Sequence, residues 1–126
     1  MVARTRTAEI VLSPDGIVVV KIASGLIQSP EDARDNLDSA IAAREGARRP
    51  ALIDISDAEP LDPEVRHYYS GPKLAEWFPA LAVVTTTRYF NRLMGNIYLR
   101  VARPGIPIRL FQDLQTAVEW LKEHRE

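Results

Sequence analysis

The side chains that could do chemistry are thinly spread over this 126-residue sequence. It contains no cysteine, which excludes thiolate catalysis, disulfides and zinc–thiolate sites. Its two histidines, His67 and His124, are far apart and lack the short spacing of metal-ligand pairs. No serine stands in a pattern that marks an activated nucleophile, and no glycine-rich loop could cradle a nucleotide phosphate. The sequence therefore predicts no catalytic residue, no metal site and no cofactor.

The segment 77–112 contains five arginines and no acid. Residues 88–102 predict an amphipathic helix with an apolar stripe on one side and arginines on the other, and Leu99 falls among the arginines. Two interpretations stay open: an ordinary solvated face, or an interface for an acidic partner or a second copy of the chain. The partner-binding candidates on this helix are Arg88, Arg92, Leu99 and Arg100.

A second group of polar residues follows two predicted strands. Ligands in open α/β sheets bind at the carboxyl edge of the strands, and free N–H groups at a helix start attract anions. Helix capping by the threonines and loop capping by the acids are the alternative explanations. The ligand-binding candidates at this edge are Ser56, Asp57, Thr86, Thr87 and Arg88.

Alternating strands and helices position these residues. Five strands are predicted, over 8–12, 16–23, 51–55, 80–86 and 107–111, and Ser-Pro-Asp-Gly between the first two indicates a β-hairpin. Helix-start signals stand at Ser29-Pro30, Asp62-Pro63 and Asp113, and a short helical turn is expected near 73–78. We expect a single α/β domain over 1–126: a β-hairpin followed by β-α units, with a mixed, mostly parallel five-stranded sheet.

Charged residues inside the strands predict how the sheet is covered. Right-handed crossovers between strands in sequential order put all connecting helices on one face. A sheet covered on both faces would have nearly continuous apolar strands, yet Glu9, Lys21, Asp54 and Arg109 interrupt them. We therefore expect all major helices on one face, with these four side chains pointing away from that layer.

The order of elements resembles the STAS family of anti-sigma-factor-antagonist-like domains, and so does the stretch 52–64, LIDISDAEPLDPE. In that family an acid-bearing strand and a short loop lead to an aspartate, two hydroxyl residues and a glycine at the next helix start. Asp62 matches the aspartate, while Pro63, Glu64 and Val65 replace the hydroxyl residues and the glycine. The resemblance implies partner docking at this helix, with Asp62 and Glu64 as candidates, and no phosphorylation switch at the usual position. Glu64 carries one charge, where a phosphate carries about 1.5–2.

The C-terminal half is also similar to short bacterial proteins of unassigned function in the STAS and CRAL-TRIO fold class. The matching features are a helix with Arg92 and Asn96, the 103–107 loop and the final Trp120-Leu121 helix. This similarity implies no known reaction.

Composition supports a globular domain, with 46% hydrophobic and 26% charged residues. The net charge of −1 gives no reason to expect nucleic acid, and no apolar run could span or insert into a membrane. We expect a cytoplasmic, non-catalytic STAS-like regulatory or protein-interaction module that forms a homodimer. The alternatives are a small-ligand domain for a lipid or organic anion, and an enzyme with a cleft that the sequence does not reveal.

Overall fold

The computed structural model describes residues 2–57, 62–70, 72–85 and 106–124 of the chain. Within them, one sheet contains six strands in sequential order: β1 (Val2–Arg4), β2 (Ala8–Leu12), β3 (Val18–Ile22), β4 (Ala51–Asp54), β5 (Leu81–Val84) and β6 (Ile108–Phe111). The described helices are α1 (Pro30–Ala43), α2 (Pro63–Ser70), α3 (Pro72–Trp77) and α4 (Leu114–Lys122). The helix predicted over 88–102 lies outside the described residues. No described helix is both long enough and apolar enough to cross a membrane.

The pairing of the strands confirms the predicted fold class. β1, β2 and β3 pair antiparallel, and β3 to β6 pair parallel. The predicted hairpin joins β2 to β3, where Gly16 has a φ of 81° and its N–H donates to the Ser13 carbonyl at 2.9 Å. Such a positive φ favours glycine because it has no Cβ.

The predicted number of five strands is wrong by one, because β1 was not expected. This strand has only three residues, which is too short to show the alternation of apolar and polar positions that marks a strand. A local turn between Thr5 and Ala8 brings β1 back to pair with β2. The Thr5 N–H donates to the Ala8 carbonyl at 2.9 Å, and the Ala8 N–H donates to the Thr5 hydroxyl at 3.0 Å.

Two predicted helix starts are confirmed in detail. Ser29 caps α1, with Asp32 completing a capping box: the Asp32 N–H donates to the Ser29 hydroxyl at 3.2 Å, and the Ser29 N–H donates to the Asp32 carboxylate at 2.9 Å. Asp113 caps α4 by accepting from the Thr116 N–H at 2.9 Å. The short helix near 73–78 is present as α3. These caps satisfy backbone N–H groups that the first helical turn leaves without partners.

The larger part of the core lies on the first face of the sheet. Alternate strand residues such as Ile10, Val20 and Ile53 are buried there against Leu37 of α1 and Phe78, the residue that follows α3. Helices α1 to α3 all lie between parallel strands, and right-handed crossovers bring them to the same face.

The second face carries a smaller core under α4. Leu52, Ala82 and Val84 alternate with the residues of the first face and pack against Ala117 and Leu121 of this helix. The expectation that every major helix lies on one face is therefore wrong for α4. This helix follows the last strand and connects no pair of strands, so crossover handedness does not constrain it. The apolar Leu114, the first residue of α4, is 51% exposed.

The four charged strand residues lie on the second face, as predicted. Glu9 and Lys21 alternate with first-face residues of β2 and β3, and Asp54 follows Ile53 of β4. Arg109 alternates with Leu110 of β6, and its guanidinium carbon lies 5.3 Å from the ring centroid of Phe111 on the second face. Helix α4 packs mainly on β4 to β6, and its C-terminal end also reaches β3: Val19 packs against the core under α4, and Lys122 Nζ lies 3.6 Å from Asp15 Oδ1 in the β2–β3 turn. The second face of β1 and β2 has no covering helix among the residues that the structure describes.

A buried polar cluster ties the N-terminal strands to α1. The Asn36 side-chain amide donates to the Thr7 hydroxyl at 2.9 Å and to the Gln28 side-chain carbonyl at 3.3 Å, and its oxygen accepts from the Thr5 hydroxyl. Asn36, Thr7 and Gln28 are all buried. Nearby, Arg6 forms an ion pair with the buried Asp32, which lowers the pKa of that carboxyl group well below its usual range. Buried polar groups of this kind are costly to leave without partners.

We predict that Asn36→Leu destabilises the fold. The variant keeps a good helix former but removes the donor to Thr7 and Gln28, and each buried polar group that loses its partner costs about 1–3 kcal/mol. We expect chemical denaturation to show a free energy of unfolding lower by about 2 kcal/mol or more. Asp35→Leu, at an exposed position of the same helix, is the control and should change stability by less than about 0.5 kcal/mol. Equal unfolding midpoints for the two variants would contradict a stabilising role of the cluster.

Candidate interaction site

The sequence candidates Ser56 and Asp57 lie where β4 ends, at the carboxyl edge of the parallel strands. Asp54 Oδ1 accepts from the Ser56 N–H at 2.9 Å and from the Ser56 hydroxyl at 2.5 Å. Lys21, from the neighbouring strand β3, places its Nζ 3.3 Å from Asp54 Oδ2 and 3.2 Å from Asp57 Oδ2. The edge therefore holds one ammonium group between two carboxylates.

These contacts set the protonation of the cluster. Partial burial favours a raised pKa for Asp54, but the hydrogen bonds from Ser56 and the charge of Lys21 outweigh it and lower the pKa. Burial likewise works to lower the pKa of Lys21, but the hydrogen bond to Asp57 and the charge of Asp54 outweigh it and raise the pKa. Lys21 and Asp54 are therefore both charged at neutral pH and neutralise one another in part.

This arrangement is poorly suited to acid–base or nucleophilic catalysis. General acid–base catalysis at neutral pH needs a group whose pKa lies near 7. The pKa of Asp54 is lowered from its ordinary acidic value, which moves it further from neutrality. The Ser56 hydroxyl donates to a carboxylate that is a weak base, so it is not activated as a nucleophile. No group of three or more His, Asp or Glu residues that could hold a metal ion occurs in the part of the chain that the structure describes.

The two candidates from the family resemblance lie at the start of α2. Asp62 directly precedes Pro63, the first residue of the helix, and both Asp62 and Glu64 are exposed. Asp57, whose side chain is 58% exposed, leaves β4 at the same end of the sheet. Among the described residues, Asp62 and Glu64 are thus exposed acids at the start of α2, whereas Asp54 and Asp57 are both in contact with Lys21.

The remaining candidates cannot be placed. Thr86, Thr87, Arg88, Arg92, Leu99 and Arg100 lie outside the described residues. The last described residue before them is Thr85, which is buried and whose N–H donates to the Phe111 carbonyl at 3.0 Å. Of the ligand-binding candidates, the described part of the chain therefore places Ser56 and Asp57, both at the end of β4.

A charged row on the second face was only partly apparent in the sequence. In the register of the sheet, Arg4 lies opposite Glu9, Glu9 opposite Lys21, and Lys21 opposite Asp54, so the charges alternate across four strands. Arg4 Nε also donates to Glu9 Oε2 at 3.2 Å. Sequence reasoning identified three of these residues and missed Arg4, because β1 was not predicted.

Comparison with known proteins places the chain in a family. Residues 10–125 match the model of a domain of unknown function, DUF7793. The chain belongs to this family. The match includes all strands and helices described above except β1 and the first two residues of β2. No curated protein matches the chain.

A solved structure confirms the fold. The chain is similar to the crystal structure of an uncharacterised DUF3478-family protein with a SpoIIAA-like fold from Shewanella loihica PV-4, with a TM-score of 0.54. The two are 20% identical, and the alignment covers 96% of this chain and 90% of the other. This similarity confirms the STAS-like fold predicted from the sequence. It concerns the fold alone, not the function.

We predict that Lys21 and Ser56 together hold the pKa of Asp54 below its ordinary value. In Lys21→Met or Ser56→Ala, the Asp54 pKa should rise toward the ordinary value of about 3.9, because each variant removes one stabilising partner of the carboxylate. Carboxyl-carbon NMR titration measures it directly. Arg4→Met removes a cation from the same charged row without touching Asp54 and should leave its pKa in place. An Asp54 pKa that moves in neither the Lys21 nor the Ser56 variant would show that these contacts do not form in solution.

Proposed function

We propose that the chain is a non-catalytic STAS-like interaction module that binds a protein partner through exposed acidic groups at the carboxyl edge of its sheet. The observation that carries the proposal is the separation of two kinds of charge at this edge. Lys21, Asp54 and Ser56 satisfy one another, whereas Asp62 and Glu64 are exposed at the start of α2. The exposed carboxylates of Asp62 and Glu64 suit recognition of a partner rather than catalysis.

The chemistry of the surface indicates the kind of partner. Among the described residues, the exposed Asp62 and Glu64 make the start of α2 locally negative, although the whole chain has a net charge of only −1. A partner with a basic surface would gain both speed of association and specificity from such a patch. Because Pro63 and Glu64 replace the hydroxyl residues of the STAS switch, binding would not be controlled by phosphorylation at that position.

Self-association is a second part of the proposal. The sequence supports a homodimer through the arginine-bearing helix or through an exposed sheet face. The helix with Arg88, Arg92, Leu99 and Arg100 lies outside the described residues. The second face of β1 and β2 is described and bears the exposed residues Val2, Arg4 and Glu9. The cytoplasm, where cysteine-free regulatory modules work without disulfides, is the proposed location.

Binding of a lipid or organic anion remains the alternative function. Its candidate site combines Ser56 and Asp57 with Thr86, Thr87 and Arg88. Among the two described members, Ser56 is engaged by Asp54 and Asp57 by Lys21, so both are occupied within the chain. The contacts therefore favour the interaction module.

We predict that reversing the exposed acids abolishes capture of a specific protein. Wild-type chain and Asp62→Lys/Glu64→Lys would be immobilised in parallel, and proteins retained from lysate of the source organism quantified by mass spectrometry. Glu119→Lys/Glu123→Lys, which reverses two exposed acids in and directly after α4, is the control for total charge.

We expect a protein with a basic surface to be enriched by the wild type and the control and lost from the α2 variant. Equal retention by all three baits would contradict docking at the start of α2. A copurified small molecule, seen by native mass spectrometry and lost in Ser56→Ala, would favour the ligand-binding alternative instead.

A further inference from the structure

The most exposed large hydrophobic residue in the described part of the chain is Ile27, in the loop between β3 and α1. Its exposed fraction is 74%, compared with 52% for Val2 and 51% for Leu114. Single exposed apolar residues are common on protein surfaces. Ile27 differs from an ordinary surface residue because hydrogen bonds hold the chain on both sides of it.

An arginine from the neighbouring turn fixes the backbone at Ile27. Arg6, which lies between β1 and β2, donates from Nη2 to the Ile27 carbonyl at 2.9 Å. The same guanidinium group donates from Nε to Asp32 Oδ1 at 2.9 Å, and Asp32 is buried in the first turn of α1. Arg6 therefore ties the loop to the start of the helix.

The rest of the loop is held as well. Gln28 is 5% exposed, and its side-chain carbonyl accepts from the Asn36 amide at 3.3 Å. At the other end of the loop, the Ala23 N–H donates to the Thr7 carbonyl at 2.8 Å. A partner that covers the Ile27 side chain would therefore need little further ordering of the loop, and binding to such a pre-organised segment costs less conformational entropy.

Exposed carboxylates lie on the two helices that begin at this edge of the sheet. Helices α1 and α2 follow the neighbouring parallel strands β3 and β4 and pack against each other. Glu31, in the first turn of α1, has a side chain that is 75% exposed, and its Oε1 makes only a loose contact of 3.8 Å with Arg34 Nη2. Asp62 and Glu64 are exposed at the start of α2.

One partner can reach both helix starts. Packed helices lie about 8–10 Å apart, and one side of a standard protein–protein interface covers about 800 Å². Such a patch is wide enough to include Ile27 and the acids of both helices. The acids favour a partner with positive charge, and Ile27 favours a partner that also presents an apolar side chain.

We propose that Ile27 is the apolar anchor of the docking site at the carboxyl edge, and that the partner docks there with a basic segment that carries one large apolar side chain. The inference rests on the proposed function and names the chemistry of the segment that binds. The apolar side chain of the segment packs against Ile27, while its lysines or arginines approach Glu31, Asp62 and Glu64. Exposed ion pairs contribute little to affinity, so the contact with Ile27 supplies most of the selectivity for the segment.

The test is an NMR titration of the ¹⁵N-labelled chain with two synthetic peptides. One is a heptapeptide of lysines and arginines with a central leucine, and the other has serine in place of the leucine. The wild type should bind the leucine peptide roughly tenfold or more tightly, because only that peptide can bury apolar surface against Ile27. The amide signals of Ile27, Glu31 and Glu64 should shift on binding.

Matched variants separate the anchor from a general apolar effect. Ile27→Ser should lose the preference for the leucine peptide, and its thermal unfolding should match that of the wild type because the side chain is exposed. Leu114→Ser removes another exposed apolar side chain, at the start of α4 on the second face, and should keep the preference. Asp62→Lys/Glu64→Lys should weaken the binding of both peptides.

The outcomes distinguish the anchor from the docking site itself. Equal affinity for the two peptides, or a preference that survives in Ile27→Ser, would overturn the role of Ile27 and leave the docking of a basic partner intact. A wild type that binds neither peptide would overturn the proposed segment, and capture of a basic protein from lysate would then show docking without it. Peptide binding that Asp62→Lys/Glu64→Lys does not weaken would contradict docking at the start of α2.

Discussion

The handedness of the crossovers is the constraint on which the rest of this structure depends. With β3 to β6 parallel and in sequential order, right-handed crossovers bring connecting helices to one face of the sheet, and the described ones, α1, α2 and α3, all lie there. Among the residues that the structure describes, the second face receives no connecting helix. Its described cover is α4, which follows the last strand. This helix packs mainly on β4 to β6, and its C-terminal end reaches the β2–β3 turn, where Lys122 contacts Asp15. That no described helix covers the second face of β1 and β2 is thus a consequence of topology rather than of side-chain choice.

The charges within the strands fit this division of the sheet. A charged side chain on the first face would be buried under α1 at a cost of several kcal/mol, whereas on the second face it remains near water. Lys21 and Asp54 lie at the carboxyl edge of the sheet, and Lys21 joins the charged row to Asp57, which follows β4. The same lysine that neutralises Asp54 and Asp57 therefore belongs to the charged row, while Asp62 and Glu64 stay available for a partner.

Local signals explain what the sequence predicted correctly. Ser29 and Asp113 cap their helices through contacts three residues away, and the hairpin turn depends on Gly16 within a four-residue segment. The sheet face on which each of Glu9, Lys21 and Arg109 lies followed from the alternation of side chains along its own strand. Even the STAS-like fold, confirmed by the SpoIIAA-like structure, followed from the order of these local elements.

What the sequence did not predict depends on distant contacts or on elements without a local signature. In the sequence, Asn36 looks like an ordinary polar residue of a helix. Its role in the buried polar cluster depends on contacts with Thr5 and Thr7, which lie 31 and 29 positions away. The contact between Lys21 and Asp57 spans 36 positions. The face chosen by α4 had no crossover to determine it, and the exposed Leu114 shows that an apolar residue at a helical position can still face solvent.

Contact between valines of two copies is the most direct measure of whether the second face of β1 and β2 is covered by self-association in solution. A sample that mixes ¹³C-methyl-valine chain with unlabelled chain allows isotope-filtered NOE spectroscopy to detect only contacts between copies. We expect intermolecular NOEs from the methyl groups of Val2 and Val11, which lie opposite each other on this face, and we expect them to be absent from Val11→Glu. Intermolecular NOEs confined to other valines, or a dimer with none from these two residues, would contradict the origin of self-association in the half-covered face.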